Sequence, residues 1–242
     1  ATATNNATVT VEYQNGTGWS ATRPTAAGRY LVKVTTSTGD TAYGLYTVVK
    51  ARPALTLTAT GATYNSAQYN GTPNGTYNGG TLPADTYFTY TGGTIQGVAY
   101  EAPTEAGDYV VTAHVGKTPN YTAHEISTNF TIAKAALTIK ADDLQRWQYG
   151  SFPDMVASYQ GLATSGIAAD TSLRDVQIQP ELIDKSNYSN DASDQVGNNY
   201  KIIAVAALAR NYTVSYVDGN MSVTREDPMP YLEIRGMIEN GD

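Results

Sequence analysis

The segment Arg23-Pro24-Thr25-Ala26-Ala27-Gly28-Arg29-Tyr30-Leu31-Val32 recurs as Ala102-Pro103-Thr104-Glu105-Ala106-Gly107-Asp108-Tyr109-Val110-Val111. Each copy runs on to a matching end, Tyr46-Thr47-Val48-Val49-Lys50-Ala51 and Phe130-Thr131-Ile132-Ala133-Lys134-Ala135. A fainter third copy has Val196-Gly197, then Tyr200-Lys201-Ile202, and closes on Met221-Ser222-Val223-Thr224-Arg225. Internal repetition constrains a fold more than any other sequence signal. Lys134 lies 84 residues beyond Lys50, and Arg225 lies 91 beyond Lys134. Steps of that length exceed the roughly 20–50 residues of solenoid repeats and suit small domains with cores of their own. The boundaries follow: a short or partial β unit at 1–52, a β-sandwich repeat at 53–135, a third β repeat at 136–226, and a linker or the start of a further unit at 227–242.

Period-two patterns fill these units. Val9, Val11 and Tyr13 alternate with Thr8, Thr10 and Glu12; Tyr109, Val111, Ala113 and Val115 alternate with Val110, Thr112 and His114, and Leu137, Ile139 and Ala141 with Thr138 and Lys140. Alternation rich in Val, Thr and Tyr predicts half-buried strands of antiparallel sheets. Asn15-Gly16, Asn70-Gly71, Asn74-Gly75 and Asn78-Gly79 mark turns, and Asp218-Gly219 predicts a two-residue hairpin closing the third unit. The best helical candidate is a single turn within residues 167–174, started by Asp170-Thr171. The fold class expected is therefore all-β: tandem small antiparallel β-sandwich domains of immunoglobulin-like type. A β-grasp-like mixed sheet is the alternative for the last unit. The links Ala51-Arg52-Pro53-Ala54 and Ala135-Ala136 are short, which predicts a stiff array.

The repeated residues read first as structural. Gly28 and Gly107 precede strands, where a backbone conformation unfavourable to side chains is expected. Pro24 and Pro103 preset the turn before them. Tyr30 and Tyr109 should point inward with the phenol at the rim. The chain has 19 Tyr and three Phe, which suits thin layers where a ring is buried while its hydroxyl finds a partner.

Composition narrows the function. The net charge is −7 and only 15% of residues are charged. With no basic patch, nucleic acid is not an expected partner. No apolar run approaches the roughly 20 residues that span a bilayer, so no membrane insertion is expected from this stretch. The absence of cysteine removes disulfides, which for a secreted protein points to bacteria more than to animals. The start at Ala1 reads as a mature fragment of something longer, and the chain is expected to be a monomer.

Catalytic and metal-binding patterns are missing. His114 and His124 lack the further ligands that zinc needs. There is no Gly-x-Ser-x-Gly elbow and no phosphate-binding glycine pattern. The pairs Asp142-Asp143 and Glu226-Asp227 fall at strand ends and in the tail, where solvated loops explain them, although Asp142 and Asp143 with backbone carbonyls make a minor calcium candidate. Lys33, Lys50, Lys134 or Lys140 could enter a Lys–Asn crosslink. Asn-x-Ser/Thr triplets are numerous, as chance alone gives in so Asn- and Thr-rich a chain. No catalytic, cofactor-binding or metal residues are assigned. The candidate ligand-contact aromatics are Trp19 and Trp147, for which core or edge packing is the simpler reading.

One family resemblance adds to this. Leu137-Thr138-Ile139-Lys140-Ala141-Asp142-Asp143, Tyr149-Gly150, Tyr159-Gln160-Gly161-Leu162, Val196-Gly197, Asn211-Tyr212-Thr213-Val214 and Met221-Ser222-Val223 resemble the Tyr-Gly variant of the MBG domain of bacterial surface proteins. The chain departs from that pattern by one extra residue between Gly197 and Tyr200 and by a longer polar stretch at 185–194. The second unit resembles a related variant, with Tyr69-Asn70-Gly71-Thr72, Gly107-Asp108-Tyr109 and Asn120-Tyr121. The resemblance implies tandem domains of surface adhesin-like proteins, without catalytic residues. The function expected is thus a non-catalytic, extracellular stalk or adhesion segment of a bacterial adhesin. Its partner would be a protein or glycan on a host or neighbouring cell, and no cofactor is expected. The alternatives are a carbohydrate-binding module using Trp19, Trp147 and surface Tyr, or an accessory segment of a surface hydrolase.

Overall fold

The computed structural model of the chain describes residues 7–148, 150–182 and 197–225. Tyr149, the polar stretch 185–194, Val196 and the tail with its candidate strand Tyr231-Leu232-Glu233-Ile234 lie outside the described residues. The fold is all-β. The chain divides into two compact units, Ala1–Ala62 with Gln68–Ile132 and Thr63–Ala67 with Ala133–Asp242.

The first repeat is one antiparallel sheet of β1 (Val9–Asn15), β2 (Gly18–Ser20), β3 (Gly28–Thr36) and β4 (Thr41–Val48), in the order β2-β1-β3-β4. Asn15 pairs with Gly18 across a two-residue link, and Gly16 takes φ +62° there. Among the described residues up to Arg52, no side chain is fully buried.

The second repeat has two layers. One is β5 (Leu55–Thr58), β7 (Asn74–Tyr77) and β8 (Gly80–Thr81). The other, in the order β6-β11-β10-β9, has β6 (Ala62–Thr63), β9 (Tyr87–Gly92), β10 (Gly107–Val115) and β11 (His124–Ala133). Along β10 the alternation is complete: Tyr109, Val111, Ala113 and Val115 are buried, and the residues between them are not. Phe130 and Ile132 of β11 join this core. Each such side chain removed from water contributes roughly 1.5–3 kcal/mol before entropy is set against it. Asn78 and Gly79 form the two-residue turn from β7 to β8, with φ of +50° and +81°, as a primed hairpin turn requires. Asn74-Gly75 is instead part of β7. A Cβ on Gly75 would stand 2.6 Å from the Thr56 carbonyl, so this glycine permits close strand approach.

The third repeat is also two-layered, and its two sheets are mixed rather than purely antiparallel. It has β12 (Ala135–Ala141), β13 (Leu144–Trp147), β14 (Ala157–Gln160), a 3-10 turn at Ile167–Ala169, β15 (Leu173–Leu182), β16 (Gly197–Ala209), β17 (Tyr212–Val217) and β18 (Gly219–Thr224). The sheets are β14-β12-β17 and β13-β18-β16-β15. β12 runs parallel to β17, and β13 parallel to β18. Leu137, Ile139, Ala141, Ile202, Met221 and Val223 are all at most 1% exposed and form the interior.

Three expectations are corrected here. Asp218-Gly219 is not a hairpin: β17 and β18 belong to different sheets, and the chain crosses between layers at Asp218. A Cβ on Gly219 would lie 2.5 Å from the Asp142 carbonyl oxygen, so the glycine serves a close backbone approach. Asp170 ends the 3-10 turn rather than starting a helical one, because Leu173 already belongs to β15. Gly28 and Gly107 are not among the glycines with positive φ. Each makes room for the tyrosine two residues on. A Cβ would lie 3.3 Å from the Tyr30 hydroxyl in the first repeat and 3.4 Å from the Tyr109 ring in the second. The Tyr30 hydroxyl donates to the Ala26 carbonyl and that of Tyr109 to the Glu105 carbonyl, both at 2.8 Å. Such a tyrosine tied to the main chain a few residues upstream is a known corner device of β-sandwiches.

Candidate functional site

The strand register puts Glu12 opposite Lys33, Lys33 opposite Tyr43 and Gln14 opposite Trp19, all on one face of the first sheet. Lys33 Nζ lies 2.6 Å from a Glu12 carboxylate oxygen and 5.0 Å from the centre of the Trp19 ring. Trp19 and Tyr43 are 5.9 Å apart. Trp19 is therefore half-buried under a cation, and its neighbour Tyr43 is 63% exposed, as is Leu45 two residues along β4. Trp147 stands apart, at the end of edge strand β13, with 52% of its surface in solvent. Trp19 and Trp147 lie in different compact units.

A second constellation lies on the outer face of β9, β10 and β11. His114 Nδ1 is 2.9 Å from Glu125 and its Nε2 is 2.8 Å from the Thr89 hydroxyl. Tyr87 stacks on the imidazole at 4.6 Å with the rings nearly parallel, and Tyr100 lies 6.2 Å beyond Tyr87. An open groove of about 540 Å³ runs past Tyr87, His114, His124 and Glu125. Hydroxyl, imidazole and carboxylate in series are the elements of a hydrolytic triad. A nucleophile must meet its substrate, however, and Thr89 is only 6% exposed. The trio is a cross-strand polar ladder that fixes the His114 ring. Sequence reasoning missed this cluster because Thr89, His114 and Glu125 are distant in the chain; only the predicted pairing of three strands would have aligned them.

The buried polar centre of the third repeat surrounds Asp170. The Ser172 hydroxyl and amide donate to Asp170 Oδ1 at 2.6 and 2.9 Å, and the Tyr212 phenol donates to Oδ2. The Ala163 amide donates to the Tyr212 oxygen at 3.1 Å. Burial pushes the Asp170 carboxyl up, but the bonds from Ser172, Tyr212 and Leu173 outweigh it and hold the group below its ordinary range. Burial, then the Asp170 hydrogen bond, drives the Tyr212 phenol well up. Arg146, 6% exposed, stacks on Phe152 and Tyr200 at 4.8 and 5.8 Å and donates to the Gly150 carbonyl. These networks are internal and orient no exposed reactive group.

The junction of the first and second repeats is densely bonded. Ala51 bridges to Tyr121, accepts from the Thr122 amide and donates to the Asn120 carbonyl, both at 2.9 Å. The Asn120 side chain accepts from the Ala27 amide at 2.9 Å, Lys50 Nζ donates to the Thr118 carbonyl at 2.7 Å, and Arg52 Nε donates to His124 Nε2 at 2.9 Å. Lys33 and Lys50 thus have polar partners other than asparagine. Asp143 accepts from the Asn220 amide at 2.8 Å. Among the described residues, no three His, Cys, Asp or Glu side chains cluster as a metal site would require, and no helix is long and apolar enough to cross a membrane.

Comparison with solved structures finds the three N-terminal domains of the bacteriophage RB49 Highly Immunogenic Outer Capsid protein (Hoc). That match has 16% identity over 90% of this chain and 89% of the other, with a TM-score of 0.30. Drosophila N-cadherin EC1-3 matches at 12% identity over 90% and 89%, with a TM-score of 0.23. Protocadherin Gamma B2 extracellular cadherin domains 1-5 match at 10% identity over 84% and 46%, with a TM-score of 0.24. Similarity at these scores carries no argument about function. Comparison with curated proteins gives no match. The two-layered third repeat carries Tyr159-Gln160-Gly161 and the closing Met221-Ser222-Val223, and residues 137–222 of the chain match the family model of the MBG domain (YGX type).

Proposed function

We propose that this chain is a non-catalytic, extracellular repeat segment of a bacterial cell-surface adhesin, and that it acts as a stalk holding binding surfaces away from the cell. The observation that carries this reading is the junction of the first two repeats. There, main-chain bonds at Ala51 and the Lys50 side chain tie the link to the loop at 118–122, Arg52 reaches His124 at the start of β11, and the Asn120 side chain holds the Ala27 amide of the first repeat. A link held at so many points resists bending, as a spacer must. Small-angle scattering tests it. The wild-type chain should fit a narrow set of shapes, and Asn120→Ala combined with Lys50→Ala should broaden it. A wild-type chain that already samples many shapes overturns the stalk reading.

A second reading, carbohydrate binding, draws on the exposed Tyr87 and Tyr100 beside His114 and Glu125, and on the Tyr43 and Trp19 face. Rings presented next to hydrogen-bonding groups suit the apolar and hydroxyl faces of a sugar. A glycan array separates the two readings: binding lost in Tyr87→Ala or Trp19→Ala supports this one, and silence across the array removes it.

A further inference from the structure

The first two repeats share strand register residue for residue. Tyr30, Val32 and Val34 of β3 pair with Tyr46, Gly44 and Ala42 of β4. Tyr109, Val111 and Ala113 of β10 pair with Phe130, Thr128 and Ile126 of β11 in the same pattern. On the other side, Tyr13 pairs with Val32 as Tyr90 does with Val111, and Val11 pairs with Val34 as Phe88 does with Ala113. The burial differs. Tyr109, Val111, Ala113, Phe130 and Tyr90 are all at most 7% exposed, whereas Tyr30, Val32, Val34, Tyr46 and Tyr13 are only half-buried.

In the second repeat that face is joined by the layer β5-β7-β8 and by the segment 68–73 that precedes β7, whereas β6 between them pairs with β11 in the receiving sheet itself. Tyr69 of that segment stacks on Phe130 at 4.4 Å, and its amide donates to the Pro103 carbonyl at 2.8 Å. The first repeat contains the receiving half of this arrangement. Pro24 corresponds to Pro103 and Tyr46 to Phe130, and an open groove of about 310 Å³ is lined by Tyr13, Arg23, Pro24 and Tyr30. The Arg23 guanidinium lies 5.7 Å over the Tyr46 ring.

We infer that this face of the first sheet is a docking surface for a second β-layer. The occupant is a three-stranded antiparallel layer built like residues 53–82, carrying an aromatic side chain that stacks on Tyr46 and an amide that donates to the Pro24 carbonyl. The repeat itself is the argument: the same face, in the same register, holds such a layer one repeat later. The inference stands whether or not the chain serves as a stalk.

The test uses the whole chain, alone and with a copy of the sequence of residues 53–85 joined by a flexible linker ahead of residue 1, read by amide hydrogen exchange. Alone, β3 amides should exchange on the order of a hundredfold faster than those of β10. With the added layer, they should slow at least roughly tenfold, and the fluorescence of the sheet's tyrosines should change. Tyr46→Phe should retain the effect and Tyr46→Ala lose it. Three outcomes overturn the inference. β3 could be as slow as β10 in the unmodified monomer. The added layer could leave exchange unchanged. Or sedimentation could find a dimer, dispersed by Tyr46→Asp, in which a second copy rather than a β-layer covers the face.

Discussion

Gly93 lies against the ring of Tyr109: a Cβ at position 93 would stand 2.4 Å from two ring carbons. Gly93 also has φ +54°. Tyr109 is 1% exposed and cannot swing aside. Gly93→Ala should cost about 2–4 kcal/mol, the sum of left-handed strain and overpacking. Gly28→Ala should cost about 1 kcal/mol or less, because Tyr30 is half-exposed and free to give way. Urea unfolding of the two variants checks the order, and equal costs would refute this account of the corner.

The tyrosine hydroxyls provide a finer probe. Tyr109→Phe removes the bond to Glu105 while keeping the buried ring, and a loss of about 1–1.5 kcal/mol is expected. Tyr30→Phe, at a wetter site, should lose less. Thermal melts of both variants decide the ranking.

The Asp170 network sets a pH signature for the third repeat. A carboxyl held below its ordinary 3.8 stabilises the fold above that value, and the contribution disappears as pH falls through the lower folded value. The Tyr212 phenol is raised from 10.0, so its contribution is complete below pH 10 and fades as pH climbs further. Asp170→Asn should lower stability by about 1–3 kcal/mol at neutral pH and flatten the acid limb below pH 4. An unchanged acid limb in that variant would show that other carboxylates govern it.

Gly219→Ala places a methyl group against the main-chain oxygens of Asp142 and Ala141, 2.5 and 2.8 Å away. Backbone cannot yield as a side chain does, so a loss of about 3 kcal/mol or more is expected, with the third repeat unfolding first. If Asp218-Gly219 were an ordinary solvent turn, the same change would cost about 1 kcal/mol. Circular dichroism with a protease digest distinguishes the two.

Trp147→Ala should barely alter stability, by about 0.5 kcal/mol, because the ring is half in water at a sheet edge. A loss several times larger, measured by denaturant titration, would mean the ring is more tightly packed than its exposure indicates.

Strand alternation was legible because each buried residue of β10 and β12 has a small or polar neighbour. Asn15-Gly16 and Asn78-Gly79 were legible as turns because left-handed φ angles leave a local mark. Two features were hidden because they depend on distant residues: Gly219 answers to the Asp142 carbonyl, and the parallel pairing of β12 with β17 to residues about 77 positions away. The His114 cluster was invisible for the same reason. Gly28 and Gly107 answer to a tyrosine only two residues on, but through its side-chain packing, which a backbone-conformation reading of glycine does not reveal. Trp19 was legible as an aromatic at a strand, but its Lys33 and Tyr43 neighbours needed the register.

The two parallel pairings of the third repeat have a mechanical consequence. The chain enters along β12 and leaves along β18, and each of these strands has a parallel partner, β17 and β13. Tension on the entering end of one strand and the leaving end of a parallel neighbour slides them lengthwise, so their ladder bonds are strained together. An antiparallel hairpin pulled from its open end parts one bond at a time. In a molecule tugged by flow or by a moving cell, this domain would yield abruptly and at higher force than a hairpin-closed one of equal thermodynamic stability.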